Sequence, residues 1–529
     1  MFLIMSAAYI TQELESEFGA LPPSFLPLGN RRLFQHQVKS APTNKHIYLS
    51  VPENFTPEPH DLQWLTDHHV TLLYIPEGLS LGASLVSALT LADYTPEQSL
   101  SILFGDTLLP NLPTAPNIIT IAPVENSYDW AVISNDNSQW LNTVTNREQL
   151  NKTHAVCGYF HFSHPQQLLK SLTMAHWDFI ESLNFYHQKC GLTAVPVTDW
   201  LDFGHLNTYY RSKAKFTTQR AFNQLEINEK WITKSSTKKQ KILAEALWFN
   251  HIPAPLRIFL PQFLGFQQQA DHVSYRLEYL HYTALNELFV FSKLPLLVWQ
   301  QVLNSCFDFI NSCQQHLAPA NTAQGSSLSA LFEEKTTQRL TEYCLSHDLD
   351  FQQQWHYNNQ FSVSFEQLLI VSQQHLPTTT THATVLHGDF CFSNILYDFR
   401  MGRIKTIDPR GIDLNDELTI YGDTRYDLAK LSHSILGLYD WIIAGYYKVT
   451  IKQQQISFTI DIPPHILPIQ QLFIALIKEH YQLDENALYA MQIQLFLSML
   501  PLHADDPQRQ QALMANAFRL YQLILDSKS

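Results

Sequence analysis

Glycine is scarce, 16 residues in a chain of 529, so loops that cradle phosphates with bare backbone have few places to form. The six cysteines, Cys157, Cys190, Cys306, Cys313, Cys344 and Cys391, include no CxxC pair. That excludes a dense disulfide framework and a cysteine-built zinc site, and fits free thiols in a reducing compartment. The 24 histidines contain no HExxH, which removes the zinc-hydrolase helix. No apolar run approaches the roughly 20 residues that a membrane-spanning helix needs. The apolar start, residues 1–10, lacks a basic flank and reads as a buried strand, not a signal peptide. The net charge is −14 with no long basic run, which argues against nucleic acid as a partner. A soluble, cytoplasmic protein is expected; its oligomeric state is not legible.

What is present is core material: 45% of residues are hydrophobic and 12% aromatic, too much for extended disorder. The length predicts several lobes. Up to about residue 210, short apolar runs (2–5, 46–51, 70–75, 101–104, 117–121) alternate with amphipathic stretches such as 80–92. This alternation predicts an α/β domain with a mostly parallel sheet. From residue 216 the texture changes. Residues 225–234 and 273–279 read as strands and 237–250 as a helix. Beyond residue 283 helices dominate, at 294–316, 327–345, 364–375, 427–447 and from 468 on, interrupted by a hairpin at 385–408. A small mixed lobe followed by a large helical one is the expected layout, with divisions at 1–212, 213–283 and 284–529.

That hairpin carries most of the chemistry. It runs Val385-Leu-His-Gly-Asp-Phe-Cys-Phe-Ser-Asn394, then a strand at 395–397, a turn, and a returning strand that ends at Ile407-Asp408. Asp389, Asn394 and Asp408 therefore converge at one end. Phosphoryl transfer needs such a set: one carboxylate to orient the attacking hydroxyl, and an amide oxygen and a second carboxylate to hold Mg²⁺ against nucleotide phosphates. A polar turn between two strands that happens to hold acids is the bland alternative. Asp427, in Tyr426-Asp-Leu-Ala429, suits an N-cap that braces the loop. Arg410 reads equally as a phosphate contact or a structural ion pair.

The segment His387-Gly-Asp-x-x-x-x-Asn394 with Ile407-Asp408 resembles the hallmark of the aminoglycoside and choline kinase-like phosphotransferases. The resemblance implies a protein-kinase-like, bilobal α+β fold that uses ATP and Mg²⁺. It makes Asp389 the catalytic base, Asn394 and Asp408 the metal ligands, and His387 a packing residue of the loop. Such kinases also need a strand lysine and a helix carboxylate to hold it. Lys234 ends a strand, and Glu245 falls on the apolar face of the next helix, where an unpaired carboxylate is costly. The two are the natural pair. Glu278-Tyr279-Leu280 resembles the segment that meets the adenine. No GxGxxG precedes Lys234; residues 217–220 and Asn223 stand there instead.

A second resemblance covers residues 1–212. Residues 20–37, Leu81-Gly-Ala-Ser84, Ile102-Leu-Phe-Gly-Asp106 and Asp199-Trp-Leu-Asp-Phe-Gly-His205 with Tyr209 are similar to segments of sugar-1-phosphate nucleotidyltransferases. That implies a Rossmann-like nucleotidyltransferase-like domain whose Asp106 and Asp202 share one Mg²⁺. Where the family has a glycine-rich loop with an arginine, and then a lysine, this chain has Glu13, Glu15 and Glu17, and then Ser24. Carboxylates beside a triphosphate repel it, so a weak or inactive nucleotidyltransferase is expected, with altered chemistry as the alternative. Arg31 and Arg32, the nearest cations, are expected at a helix start facing solvent. Together the resemblances imply a kinase acting on a hydroxyl of a sugar, polyol or amino alcohol, in the setting of capsular polysaccharide synthesis. A bifunctional kinase and nucleotidyltransferase, or a binding scaffold, are the alternatives.

Overall fold

The computed structural model describes the chain apart from residues 44, 96, 124–129, 134–139, 145–153, 221–223, 229, 320–327, 329, 380, 414 and 528–529. It divides into two compact units, Met1–Thr217 and Thr218–Ser529. The helix Leu206–Arg220 runs through the boundary expected after residue 212. Among the described residues no helix is long and apolar enough to cross a membrane.

The first unit is α/β. Its sheet runs in the order Thr193–Pro196, Ile118–Pro123, His154–Phe162, Leu100–Phe104, Phe2–Met5, Ile47–Pro52, Val70–Ile75. Phe2–Met5 is buried at all four positions between parallel neighbours, which is why it reads as a continuous apolar run. Val70–Ile75, at the edge of that order, is only partly buried, with Thr71 and Tyr74 exposed. Along that order the departure from an all-parallel sheet is His154–Phe162, antiparallel to both of its neighbours; off it, Trp130–Ile133 pairs antiparallel with His154–Phe162 and with Leu141–Val144. Ser80 caps the helix Leu81–Leu91 by accepting from Ala83 N at 3.3 Å.

The second unit is α+β. Its four-stranded antiparallel sheet runs Gln224–Ile227, Trp231–Ser236, Val273–Glu278, Phe263–Gln268. The single strand expected at 225–234 is therefore two. Asn228 accepts from the amides of Lys230 and Trp231, both at 2.9 Å, and turns the chain. The helix Lys239–His251 follows, with Ile242, Ala244, Glu245, Trp248 and Phe249 buried.

Helices then dominate: Leu296–Gln314, Lys335–Ser346, Phe365–His375, Arg425–Ile435, Tyr439–Ala444, Ile466–Tyr481, Glu485–Met499 and Pro507–Asp526. Two expectations need correction here. The helix expected at 427–447 breaks, because Leu438 turns left-handed (φ 57°) and Gly437 lies so close to the His433 carbonyl that a Cβ would come within 2.4 Å of it. A four-stranded sheet also appears in this helical part, in the order Phe361–Val363, Trp355–Tyr357, Gln455–Thr459, Lys448–Lys452. Its hairpins turn at Asn358-Asn359 and Gln453-Gln454, all with positive φ, as primed hairpin turns require. Of the helix expected at 327–345, the described part is a π-helical turn, Ala330–Glu334, leading into Lys335–Ser346.

Candidate active site

In the second unit the strands Ile395–Asp398 and Arg403–Thr406 pair antiparallel, Ile395 with Thr406. Asn394 thereby lies beside Ile407, whose amide donates to the Asn394 carbonyl at 2.9 Å. The Asn394 side chain closes the loop ahead of it: Nδ2 donates to the Asp389 carbonyl at 2.9 Å and to Asp389 Oδ2 at 3.0 Å. The three groups expected to converge line one cavity of about 590 Å³.

His387 sets this geometry from beneath. It is fully buried; its Nδ1 accepts from the Asp389 amide at 3.2 Å and its Nε2 lies 3.0 Å from the Ile407 carbonyl. Burial, above all, pulls its pKa down to about 4, so it is neutral. With Nδ1 accepting, Nε2 carries the proton and donates to Ile407. One imidazole thus ties the Asp389 loop to the segment ending in Asp408.

Asp427 braces the same loop, although not as an N-cap. It is the third residue of the helix Arg425–Ile435 and accepts from the amides of His387 and Gly388, both at 2.8 Å. Burial pushes its carboxyl up to about 7 against the pull of those donors. One turn on, Lys430 places Nζ 2.8 Å from Asp389 Oδ1. Burial pushes the Asp389 carboxyl up, but Lys430, helped by the Asn394 hydrogen bond, outweighs it and holds it below the usual range. Lys430 is likewise held above the ordinary lysine range: burial pulls it down, and Asp389 leads the groups that overcome this.

Behind the cavity-lining Glu245 and Asp408, Lys234 Nζ donates to Glu245 Oε2 at 2.7 Å and lies 3.1 Å from Asp408 Oδ1. Tyr275 donates to the same Glu245 oxygen at 2.8 Å. Burial lowers the Lys234 ammonium, yet the two carboxylates raise it overall. Burial and the Asp408 charge raise Glu245. Two contacts carry the helix that bears Glu245 onto the loop. Trp248 Nε1 donates to the Leu386 carbonyl at 2.7 Å. Gly411, at φ 68°, approaches the Ala244 carbonyl so closely that a Cβ would come within 2.3 Å of it, which leaves room for glycine alone.

Asn394 and Asp408 fit a divalent cation. With Nδ2 committed to Asp389, Asn394 has its amide oxygen left to offer, and Asp408, its side chain about 45% exposed, has a second carboxylate oxygen beyond the one facing Lys234. Among the described residues no group of three or more His, Cys, Asp or Glu side chains is disposed as a metal cage. Two hard oxygens are what Mg²⁺ takes from protein when phosphates and water complete its shell.

Arg410 lines the cavity and forms no ion pair among the described residues; its amide donates to the His387 carbonyl at 2.8 Å. Glu278 is not brought in. Its exposed carboxylate accepts from the Gln262 amide at 3.2 Å, and the Tyr279 amide is committed to the Lys230 carbonyl. Asn223 and the side chains of Gln219 and Arg220 lie outside the described residues. The residues that sequence reasoning missed are Lys430, Lys335 and Arg339. Lys430 follows Asp427 by one helical turn, a usable signal; the other two are far from any motif.

In the first unit, Asp106 follows Leu100–Phe104, and Asp202 lies on a short strand, Leu201–Asp202, that pairs antiparallel with Thr107–Leu108. The two carboxylates converge on Gly204: a Cβ built there would meet Asp106 Oδ2 at 2.8 Å and Asp202 Oδ1 at 3.4 Å. Burial and the Asp202 charge push Asp106 up to about 7, and burial pushes Asp202 to about 6. Asp202 Oδ2 is buried without a partner, as a missing cation would leave it.

Around the pair lies a cavity of about 430 Å³ with aromatic walls, Tyr9, Trp130, Phe160, Phe179 and Trp200 among them, and no lysine or arginine in its described lining. The acidic loop expected there is instead the helix Gln12–Phe18. Glu13 and Glu15 are exposed, Glu17 accepts from the Tyr210 hydroxyl, and none of the three lines the cavity. Ser24 is fully buried, its hydroxyl donating to the Gly105 carbonyl at 3.2 Å. Arg32 does not face solvent: it is 2% exposed and paired with the fully buried Asp61 at 3.1 Å, because a buried arginine requires a counter-charge.

No family model and no curated protein matches the chain. Solved structures similar to parts of it fall into two groups. One includes the nucleoside-diphosphate-sugar pyrophosphorylase of Vibrio cholerae RC9, at 12% identity and TM-score 0.33, covering 40% of this chain and 99% of that one. The inositol-1-phosphate CTP transferase of T. maritima stands at 15% and 0.31, covering 42% and 97%. The other group includes a thermostable mutant of an aminoglycoside phosphotransferase in ternary complex with AMP-PNP and hygromycin B, at 13% and 0.35, covering 59% and 98%.

Proposed function

We propose that the second unit is an ATP- and Mg²⁺-dependent phosphotransferase that phosphorylates a hydroxyl of a small molecule, a sugar or polyol. The observation that carries this reading is the convergence of Asp389, Asn394 and Asp408 in one cavity, with Asp408 tied to the Lys234–Glu245 pair. Lys234 neutralises nucleotide phosphate, and Glu245 and Tyr275 hold its ammonium in place. Asn394 and Asp408 would hold the metal, which when bound would supply charge neutralisation at the transferring phosphoryl group. Asp389 orients the acceptor hydroxyl. The hydroxyl oxygen forms a bond to the γ-phosphorus, the bond from that phosphorus to the bridging oxygen breaks, ADP leaves, and the hydroxyl proton passes to the Asp389 carboxylate. The test is phosphate transfer from ATP to a panel of sugars and polyols, followed by mass spectrometry. Transfer that survives in folded Asp389→Asn refutes the role of Asp389, and no ATP-dependent transfer to any member refutes the kinase.

For the first unit we infer a cation site at Asp106 and Asp202 with poor nucleotidyl transfer. The observation favouring this is a cavity whose described lining offers a triphosphate two carboxylates and neither lysine nor arginine, where phosphate recognition relies on such cations. Asp106-dependent pyrophosphate release from a nucleoside triphosphate and a sugar phosphate would reverse it and favour the bifunctional reading.

A further inference from the structure

We propose that the acceptor of the second unit is an anion: a hydroxylated small molecule carrying a carboxylate or phosphate group, held by Lys335, Arg339 and Arg410. The proposal rests on the kinase reading for its chemistry, and on the charge balance of the cavity for its substance.

Lys335 opens the helix Lys335–Ser346, and Arg339, four residues on, shares its face. Both line the cavity that holds Asp389, as does Arg410. Two lysines meet three carboxylates at the reaction centre, and Asp416 and Lys241 add one charge of each sign to the lining. Glu245 and Asp408 share Lys234, and Asp389 has Lys430. Lys335, Arg339 and Arg410 form no ion pair among the described residues, and Arg339 donates only weakly, to the Ser498 carbonyl at 3.3 Å. Burial first, then Arg410, Arg339 and Lys430, pull the Lys335 ammonium down to about 7 against the opposing charge of Asp389.

Uncompensated cations in a partly desolvated cavity are costly, and an anionic ligand removes that cost. A cationic amino-sugar acceptor meets repulsion at the same place. Asp389, where the acceptor hydroxyl must lie, and its partner Lys430 are among the charges that act on Lys335, and all three line one cavity. The cluster therefore serves the acceptor, not the nucleotide.

Calorimetry on the full chain with Mg·ADP present tests this, using glucose, glucuronate, glucose 6-phosphate and glucosamine as probes, alongside phosphate transfer from ATP. At least one anionic probe should bind about tenfold or more tighter than glucose, with glucosamine weakest. Lys335→Gln and Arg339→Gln should each remove most of that preference and leave Mg·ATP affinity within about twofold. Lys335→Arg should retain it, which controls for folding. Glucose or glucosamine binding as tightly as both anions overturns the proposal. So does a loss of Mg·ATP affinity in the glutamine variants, which would assign the cations to the nucleotide. Anion-selective binding without transfer to any probe refutes the kinase reading and upholds the anion site; transfer to neutral probes without anion preference does the reverse.

Discussion

The two cavities of this chain differ in whether cations accompany their carboxylates. The one in the second unit gathers Lys335, Arg339, Arg410 and Lys430 around its carboxylates. The one in the first unit sets Asp106 and Asp202 among aromatic walls with no lysine or arginine in its described lining. The consequence shows at the acids themselves. Lys430 holds Asp389 below the usual carboxylate range against burial, whereas Asp106, with another carboxylate as its neighbour, is pushed up to about 7. Burial acts the same way on both; the sign of the neighbouring charge decides the outcome. A carboxylate that stays ionised suits the orientation of a hydroxyl, and a pair that resists ionisation suits a cation.

The contrast can be broken most sharply at Asp389. Asp389→Asn should lower kcat by roughly 10²–10⁴-fold with little change in ATP affinity, because the group addresses the acceptor; steady-state kinetics beside nucleotide calorimetry checks this. Asp408→Ala should next abolish the Mg²⁺-dependent tightening of ATP binding, and Asn394→Ala should weaken it. Unchanged Mg·ATP affinity in Asp408→Ala would place the metal elsewhere. Lys430→Met should cost about tenfold or more in kcat, since it strips Asp389 of its nearest cation, and Lys430→Arg should recover part of that loss. The smallest effect is expected in the first unit. Asp106→Asn should raise the Tm of that unit by roughly 2–4 °C, by relieving a like-charge pair. Mg²⁺ or Mn²⁺ should stabilise the wild type and leave the variant unmoved. Calorimetric scans showing equal cation response in both proteins would remove the proposed cation site.

Much of this was legible in advance, for identifiable reasons. Phe2–Met5 and Val70–Ile75 lie where their apolar patterns put them, and the helices Leu81–Leu91 and Phe365–His375 fall within the stretches expected at 80–92 and 364–375, because burial periodicity is local. The Asp389–Asn394–Asp408 set was legible since a tight loop and a hairpin bring its members together with few residues between. The sheet of Trp355–Tyr357, Phe361–Val363, Lys448–Lys452 and Gln455–Thr459 is not legible in the sequence, because its strands are short and asparagine and glutamine pairs, not glycine, form its turns. The acidic segment at Glu13, Glu15 and Glu17 was misread: as a loop it would face the cavity, but as the helix Gln12–Phe18 it buries Leu14 and Phe18 and turns Glu13 and Glu15 outward.

The sequence by itself determined the order of the two units, the elements with strong periodicity and the residue types at the reaction centre, since each depends on neighbours within a few turns of chain. Only the tertiary structure decided that Lys430 meets Asp389, that Asp106 and Asp202 face each other at Gly204, that Arg32 is paired with Asp61, and that Lys335, Arg339 and Arg410 share a cavity with no ion pair of their own among the described residues. Charge pairing acts across space with no sequence period, so it becomes visible only once packing has brought distant side chains within reach of one another.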